Sequence, residues 1–215
     1  MLGRGVNPNA RNRYNRSALW IASGGSYEIE IMKLLIDSGA DVNAADDDGI
    51  TPLMEAASGN IADAVSVLLE HQAAVNVKNK EQKSALMLAA EGGHTRVAEE
   101  LLAKGADVRA RDAEGKTPLL LASGGYFAQG ELVKLLLAKG AEVNAADNQG
   151  NTALMLAARA GAFQVIEPLL AGGANVNAKN KEGWTALRLV RESKEAGSYG
   201  RVEIVELLRK AGAKE

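Results

Sequence analysis

The sequence of 215 residues predicts an all-α fold built from stacked helical repeats. A short motif, Gly-Ala-Asp-Val-Asn-Ala at residues 39–44, recurs in similar form along the chain at intervals of 33 to 39 residues. A second motif, Thr-Pro-Leu at residues 51–53, recurs in step with the first one. A unit of this length cannot bury its own apolar face, so we expect each unit to be buried by stacking on its neighbours.

The elements of a unit follow from its residues in order, as the unit around residues 78–110 shows. Ser84 is suited to cap the first helix, which continues through leucine and alanine residues at helical spacing. The pair Gly92-Gly93 breaks this helix, and a second amphipathic stretch follows. It ends at Gly105, where we expect a left-handed C-terminal cap.

A tight turn precedes each first helix. Glycine supplies the positive φ of this turn in four units, at Gly49, Gly115, Gly150 and Gly183. Asn15 and Gln82 stand at this position in the other two units. Asparagine tolerates a left-handed backbone better than glutamine does, so we expect the turn at Gln82 to be strained or differently built.

These motifs closely resemble the ankyrin repeat. The family pattern D-x-x-G-x-T-P-L-x-x-A-A-x-x-G, followed by L-L-x-x-G-A-x-V-N-A, is met nearly in full in four segments and loosely at both ends of the chain. The full matches are 46–77, 79–110, 112–145 and 147–178, and the loose ones are 12–44 and 180–213. The resemblance implies an ankyrin-repeat solenoid of stacked helix-turn-helix units, with β-hairpin fingers along one edge.

We expect a single ankyrin-repeat domain over residues 1–215. Residues 1–10 align with the end of a repeat, so we interpret them as the remnant of a preceding repeat in a longer solenoid. The last repeat is rich in charged residues, as expected for a polar C-terminal cap. The predicted repeats are about 11–44, 45–77, 78–110, 111–145, 146–178 and 179–215.

The residues at one position of the first helix are apolar in five repeats, which predicts that they belong to the core. Trp20, Met54, Met87, Leu120 and Met155 stand three residues after the helix cap in successive repeats. We expect them to form an apolar ladder between repeats, with methionine as an adaptable filler. The last repeat has Arg188 at this position, which fits a terminal cap.

Composition and charge exclude several classes of function. Lys plus Arg is 25 and Asp plus Glu is 27, a net charge of −2 that argues against a nucleic-acid-binding protein. No cysteine is present and only two histidines occur, so thiol chemistry is excluded and few metal ligands remain. No apolar run approaches the length needed to span a membrane, and no secretory signal is recognisable. The compartment remains undetermined.

Two segments resemble a phosphate-binding loop and a calcium-binding loop, but each lacks a residue that its motif requires. The Gly115-Lys116-Thr117 segment lacks the earlier glycine of a phosphate-binding loop, since residue 110 is alanine. A calcium loop at residues 44–55 would need an acidic first ligand, and residue 44 is alanine. We therefore expect no catalytic residues, no cofactor and no metal.

The resemblance implies that a protein partner contacts the finger tips and the exposed side of the first helices. Ile50 and Trp184 are unusual there, because their turn position requires no apolar side chain; Trp184 either anchors a partner or packs on the neighbouring finger. Glu55 replaces an aliphatic residue of the other repeats and must face water or find a donor. The candidate binding residues are Tyr14, Arg16, Asp47, Asp48, Ile50, Glu55, Lys80, Lys83, Glu91, Lys116, Arg159 and Trp184.

Aromatic residues between the two helices of a repeat form a second candidate edge. Two interpretations stay open: the rings fold back over their own helix ends, or they contact a partner. The aromatic residues expected in these inter-helix loops are Tyr27, Tyr126, Phe127, Phe163 and Tyr199.

The sequence thus predicts a non-catalytic protein–protein interaction module, a scaffold that presents a rigid concave surface and hairpin fingers. We expect the chain to be monomeric without its partner. The alternative is a targeting or regulatory arm of a larger enzyme, effector or toxin-associated polypeptide whose active domain lies outside this sequence. A designed binder is disfavoured by the irregular insertions and by Pro168 inside a helix.

Overall fold

The computed structural model describes residues 7–25, 28–125, 127–193 and 198–214, without the side chains of Ser198 and Tyr199. Within these residues the chain is helical, and β-pairing is limited to the isolated bridges Arg11–Ser17 and Ala146–Thr152. The helices are α1 (Ala18–Ser23), α2 (Ile29–Asp37), α3 (Pro52–Ser58), α4 (Ala62–Glu70), α5 (Ala85–Glu91), α6 (Thr95–Ala103), α7 (Pro118–Gly124), α8 (Gly130–Ala138), α9 (Ala153–Ala160), α10 (Phe163–Ala171), α11 (Ala186–Glu192) and α12 (Ser198–Lys210).

Each first helix begins at a hydroxyl cap, as the sequence predicts. The side-chain oxygen of the cap accepts a hydrogen bond from the backbone N–H three residues further on, at 3.1 to 3.4 Å. Such a cap contributes about 1 kcal/mol to helix stability. The cap residues are Ser17, Thr51, Ser84, Thr117, Thr152 and Thr185.

Left-handed residues end the second helices and build the finger turns. Gly105 has φ 85°, which confirms the predicted cap after α6. Gln82 has φ 62°, and its N–H bonds to the Asn79 carbonyl just as the Gly49 N–H bonds to Asp46. The third finger therefore keeps the common turn, and Gln82 carries the strain of a conformation that favours glycine.

The apolar ladder is confirmed. Met54, Met87, Leu120 and Met155 are at most 1% exposed, and Trp20 is 6% exposed. Arg188, their counterpart in the last repeat, is exposed.

The chain divides into two compact units. Unit 1 comprises Met1–Ala89 and Arg96–Asp107, and unit 2 comprises Ala90–Thr95 and Val108–Glu215. In unit 1, first helices α1 and α3 pack together, as do second helices α2 and α4; α1 also packs on α2, and α3 packs on α4. In unit 2, α9 packs between α7 and α11, and α10 packs on both α8 and α12. Like helices stack on like helices, which is the arrangement predicted for stacked repeats.

Two of the expected loop positions are wrong. Phe163 is the first residue of α10, because that helix begins directly after Ala162, whose short side chain makes no capping hydrogen bond. Tyr199 lies in α12, because extra residues of the last repeat extend this helix to 13 residues, against 9 in α10.

Candidate functional site

In unit 1, Arg16 is held by contacts within the chain. Its Nε lies 3.2 Å from a carboxylate oxygen of Asp46, whose side chain is only 3% exposed. Its guanidinium also lies over the Trp20 ring, 4.0 Å from the centroid, and 5.7 Å from the centroid of Tyr14. An ion pair and a cation–π contact therefore occupy the candidate residue Arg16, while the Tyr14 ring stays half exposed.

Trp20 joins the first finger to the second. Its ring is buried, and its indole Nε1 donates a hydrogen bond of 2.9 Å to the Ile50 carbonyl. The Ile50 N–H in turn donates to the Asp46 carboxylate at 2.9 Å. Ile50, an apolar residue at a turn position, is therefore half-buried and part of this junction.

The other finger candidates of unit 1 differ in their contacts. The Lys80 N–H donates to the Asp48 carbonyl at 3.0 Å, which pairs the second and third fingers through their backbones. The Lys83 ammonium lies 3.4 Å from a Glu81 carboxylate oxygen. Asp47 and Asp48 present exposed carboxylates at the tip of the second finger.

Glu55 lies half-buried on α3, on the side that faces α1. Its carboxylate stands beside Gly24, where a Cβ atom would lie 3.0 Å from Oε1. Burial raises the pKa of the Glu55 carboxyl; the positive charge of Arg16 lowers it, and the negative charge of Asp46 raises it further.

In unit 2, a first cleft opens at Gly124, and we call it the Gly124 cleft. Three candidate residues, Glu91, Lys116 and Arg159, line it together with an apolar floor. Glu91, Gly124 and Arg159 stand at the same position in three successive repeats, seven residues after the helix cap. Because Gly124 has no side chain, it leaves a space between the long side chains on either side of it. The cleft has a volume of about 130 Å³, and its remaining lining residues are Leu120, Leu121, Gly125 and Leu156.

A second cleft of about 320 Å³ lies between the last two fingers of unit 2, and we call it the Trp184 cleft. Arg159 lines this cleft as well, so one arginine borders both clefts. The other lining residues are Asn148, Gln149, Asn151, Asn180, Lys181, Glu182, Trp184 and Leu189.

Trp184 differs from Trp20 in the hydrogen bonding of its indole N–H. It is half-buried, and Arg188 lies over its ring, 4.5 Å from the centroid. Its backbone N–H is bound to the Asn180 side chain at 2.9 Å. Among the described residues its indole N–H has no acceptor, so this donor remains available at the cleft.

Arg159 lacks an ion pair within the part of the chain that the structure describes. Glu91 and Glu182 each line one of its clefts, yet neither carboxylate lies within ion-pair distance of its guanidinium. Lys116, which lines the Gly124 cleft, does have a partner, since its ammonium lies 2.6 Å from a Glu114 carboxylate oxygen. Arg159 is therefore exposed beside both clefts, and its charge has no ion-pair partner among the described residues.

The alternative aromatic edge is described in part. Phe127 is 66% exposed, whereas Tyr27, Tyr126 and the side chain of Tyr199 lie outside the described residues. Phe163 and Val202 are both exposed and occupy equivalent positions, ten residues before the glycines Gly173 and Gly212 that follow α10 and α12. The exposure of Val202 was not predicted, because the apolar pattern alone does not show which apolar residues face solvent.

No cluster of three or more His, Asp or Glu residues suited to a metal ion occurs among the described residues. Likewise, none of the helices in the described ranges has the length and apolar character to cross a bilayer.

Stacked helix pairs with hydroxyl caps and left-handed glycine turns define a helical repeat protein. The chain belongs to the ankyrin repeat family, because the family model for ankyrin repeats (3 copies) matches residues 1–79, 64–147 and 125–215. Ankyrin repeats are in general protein–protein interaction modules, and the family is typically non-catalytic.

Similar proteins support the same fold. The crystal structure of the human ASB11 ankyrin repeat domain matches with a TM-score of 0.84 and 30% identity, over 98% of this chain and 90% of that one. The ankyrin repeat protein FPV222 of fowlpox virus (strain NVSL) is 46% identical over 52 residues, 24% of this chain. The chain therefore matches only 7% of the length of that curated relative.

Proposed function

We propose that this chain is a non-catalytic protein-binding module and that its interface is the finger surface of unit 2. One observation carries the proposal: Glu91 and Lys116 border the Gly124 cleft, Trp184 borders the Trp184 cleft, and Arg159 borders both. In unit 1, the finger residue that corresponds to Trp184 is Arg16, and its side chain is engaged within the chain by Asp46 and Trp20.

The chemistry of the two clefts suits a binding anchor. Tryptophan and arginine dominate the residues whose truncation costs most at protein interfaces, especially beside pockets that a partner can fill. Leu121, Leu156 and Leu189 supply apolar floor to the clefts. Because first helices α7, α9 and α11 pack tightly together, this surface is formed before a partner arrives, which reduces the ordering cost of binding.

Site-specific photocrosslinking in extracts of the source cells tests the proposal. A photoreactive amino acid replaces Gln149 in the Trp184 cleft, Lys80 on the unit 1 fingers, or Phe127 on the aromatic edge. We expect Gln149 to capture a defined protein, and the added pair of changes Arg159→Ala and Trp184→Ala to abolish that capture. If the same protein is captured from Lys80 or Phe127 and not from Gln149, the proposed interface is wrong.

A further inference from the structure

We propose that the partner inserts an acidic, extended segment whose carboxylate binds Arg159 and whose neighbouring large apolar side chain packs on Trp184 and Leu189. This inference rests on the proposed function, because it names the chemistry that the same surface binds. Three features of the Trp184 cleft support it, namely its charge, its amide groups and its size.

The charge of the cleft favours a carboxylate. Arg159 and Lys181 line it against a single acid, Glu182, and neither cation has a side-chain partner among the described residues. Arg188, which lies over the Trp184 ring, adds a third positive charge nearby. A basic segment would meet repulsion here, whereas an Asp or Glu side chain can form paired hydrogen bonds with the planar guanidinium of Arg159.

Three of the four side-chain amides of the cleft donate hydrogen bonds within the chain. The fourth, Gln149, can bind the backbone of a partner segment. Asn148 donates to the Ala113 carbonyl at 3.1 Å, Asn151 to Asp147 at 3.2 Å and Asn180 to Asn151 at 2.9 Å. The side-chain amide of Gln149 makes no such bond within the described chain. An amide that can both donate and accept suits the peptide group of an extended segment.

The size of the cleft limits the occupant. Its volume of about 320 Å³ accommodates a large side chain and part of its backbone, and not a folded element. The Trp184 ring and Leu189 provide the apolar wall, and the free indole N–H can bind a carbonyl at its edge. An aromatic or large aliphatic residue next to the carboxylate therefore fills the remaining space.

Selection of random twelve-residue peptides displayed on phage, with the complete chain immobilised, tests this inference. We expect enrichment of Asp or Glu within a few positions of Phe, Tyr, Trp or Leu. Titration calorimetry with a selected synthetic peptide then measures affinity. Arg159→Ala should weaken binding by about tenfold or more, as expected when a partner of a charged pair at an interface is removed.

A charge exchange separates binding at Arg159 from a general electrostatic effect. Arg159→Glu should bind the original peptide still more weakly and should recover affinity for the peptide whose acid is replaced by lysine. Lys139→Glu, the same change of charge at an exposed residue of unit 2 that lines neither cleft, should leave both affinities nearly unchanged.

The outcomes distinguish this inference from the proposed function. Selection of neutral or basic peptides whose affinity falls with Trp184→Ala would contradict the inference of an acidic segment, but it would still support the proposed interface. Peptides insensitive to both Trp184→Ala and Arg159→Glu would overturn both. An absence of enriched peptides would overturn the inference, while the photocrosslinking result would still decide the interface.

Discussion

The first and last repeats use the same pair of positions with the residue types exchanged. In the first repeat, Arg16 precedes the helix cap and lies over Trp20, with its guanidinium 4.0 Å from the ring centroid. In the last repeat, Trp184 precedes the cap and Arg188 lies over it at 4.5 Å. In both pairs the first residue directly precedes the helix cap and the second lies in the first helical turn, and the two side chains meet across the extended cap residue.

The exchange changes what the tryptophan can do. Trp20 occupies the ladder position inside the stack, and its indole N–H is bound to the Ile50 carbonyl. Trp184 occupies the finger position beside an open cleft, and its indole N–H is not used within the described chain. We therefore expect Trp20 to contribute mainly to stability, and we propose that Trp184 contributes to recognition.

The largest expected effect separates these two tryptophans. Trp20→Ala should lower the free energy of unfolding by about 3–5 kcal/mol, because it leaves a cavity and an unpaired Ile50 carbonyl. Trp184→Ala should lower it by less than about 1 kcal/mol and should weaken partner binding by about 2 kcal/mol or more. Urea denaturation and calorimetry measure the two quantities.

Equal losses of stability for the two variants, with binding retained in Trp184→Ala, would contradict this comparison. Trp184 would then be a packing residue, and the edge at Phe127 would become the better candidate interface.

A pair of leucines tests whether the cores of the two units are alike. Leu101 in unit 1 and Leu136 in unit 2 occupy the same position of the second helix, and both are 0% exposed. Each change to alanine should cost about 2–5 kcal/mol, because a buried cavity forms. Leu34→Ala, at a leucine of α2 that is 45% exposed, is the control and should cost much less on urea denaturation. A cost below about 0.5 kcal/mol at Leu101 would mean that the repeat register is wrong.

The two arginines should also differ, by a smaller amount. Arg16→Ala removes the ion pair to the buried Asp46, which should cost about 1–3 kcal/mol in the free energy of unfolding. Arg188→Ala removes an exposed cation–π contact worth about 0.5–1 kcal/mol. Added salt should reduce the difference between the stability losses of the two variants, because screening weakens the ion pair of Arg16 more than it weakens the contact of Arg188 with the ring. If Arg188→Ala costs more than Arg16→Ala, the contrast between the repeats is wrong.

Glu55 provides a test through pH, because its pKa is raised in the folded protein by burial. The folded state therefore holds this proton more tightly than the unfolded chain does. The ionised carboxylate lowers stability at neutral pH, and this loss is relieved as pH falls through the raised pKa. Glu55→Gln should be more stable than the parent near neutral pH, and the difference should shrink on acidification.

Glu70→Gln, which removes an exposed charge in the same unit, is the control for net charge. Urea denaturation over a range of pH values measures the difference for both variants. A stability gap for Glu55→Gln that stays constant or grows on acidification would contradict the assignment.

Local chemistry explains how much of the fold the sequence could predict. The hydroxyl caps and the glycine at 105 act within a few residues, so their roles are visible in the sequence itself. The ladder residues are predictable because every repeat places them at the same spacing from its cap. Phe163 was misplaced because the start of α10 depends on no distinctive capping side chain.

The candidate site was less predictable. Arg159, Lys116 and Trp184 could be named as exposed residues, but the clefts arise from packing between repeats. Gly124 opens one cleft only because Glu91 and Arg159 flank it. The engagement of Arg16 depends on Asp46, which is 30 residues away in the sequence. A pattern within one repeat does not show which of several similar charges finds a partner in the next repeat.

The smallest expected effect concerns the finger turns, where unit 1 uses Asn15 and Gln82 beside Gly49 and unit 2 uses glycine throughout. Gln82→Gly should raise the free energy of unfolding by about 0.5–1 kcal/mol, because glycine adopts φ 62° without the strain that a Cβ atom imposes. Asn15→Gly should change it by less than about 0.5 kcal/mol, because asparagine tolerates this conformation and glycine gains entropy in the unfolded chain. Thermal and urea denaturation of both variants measure the difference. A loss of stability in Gln82→Gly would show that the glutamine side chain supports the finger, and that the turns of unit 1 are maintained by contacts absent from unit 2.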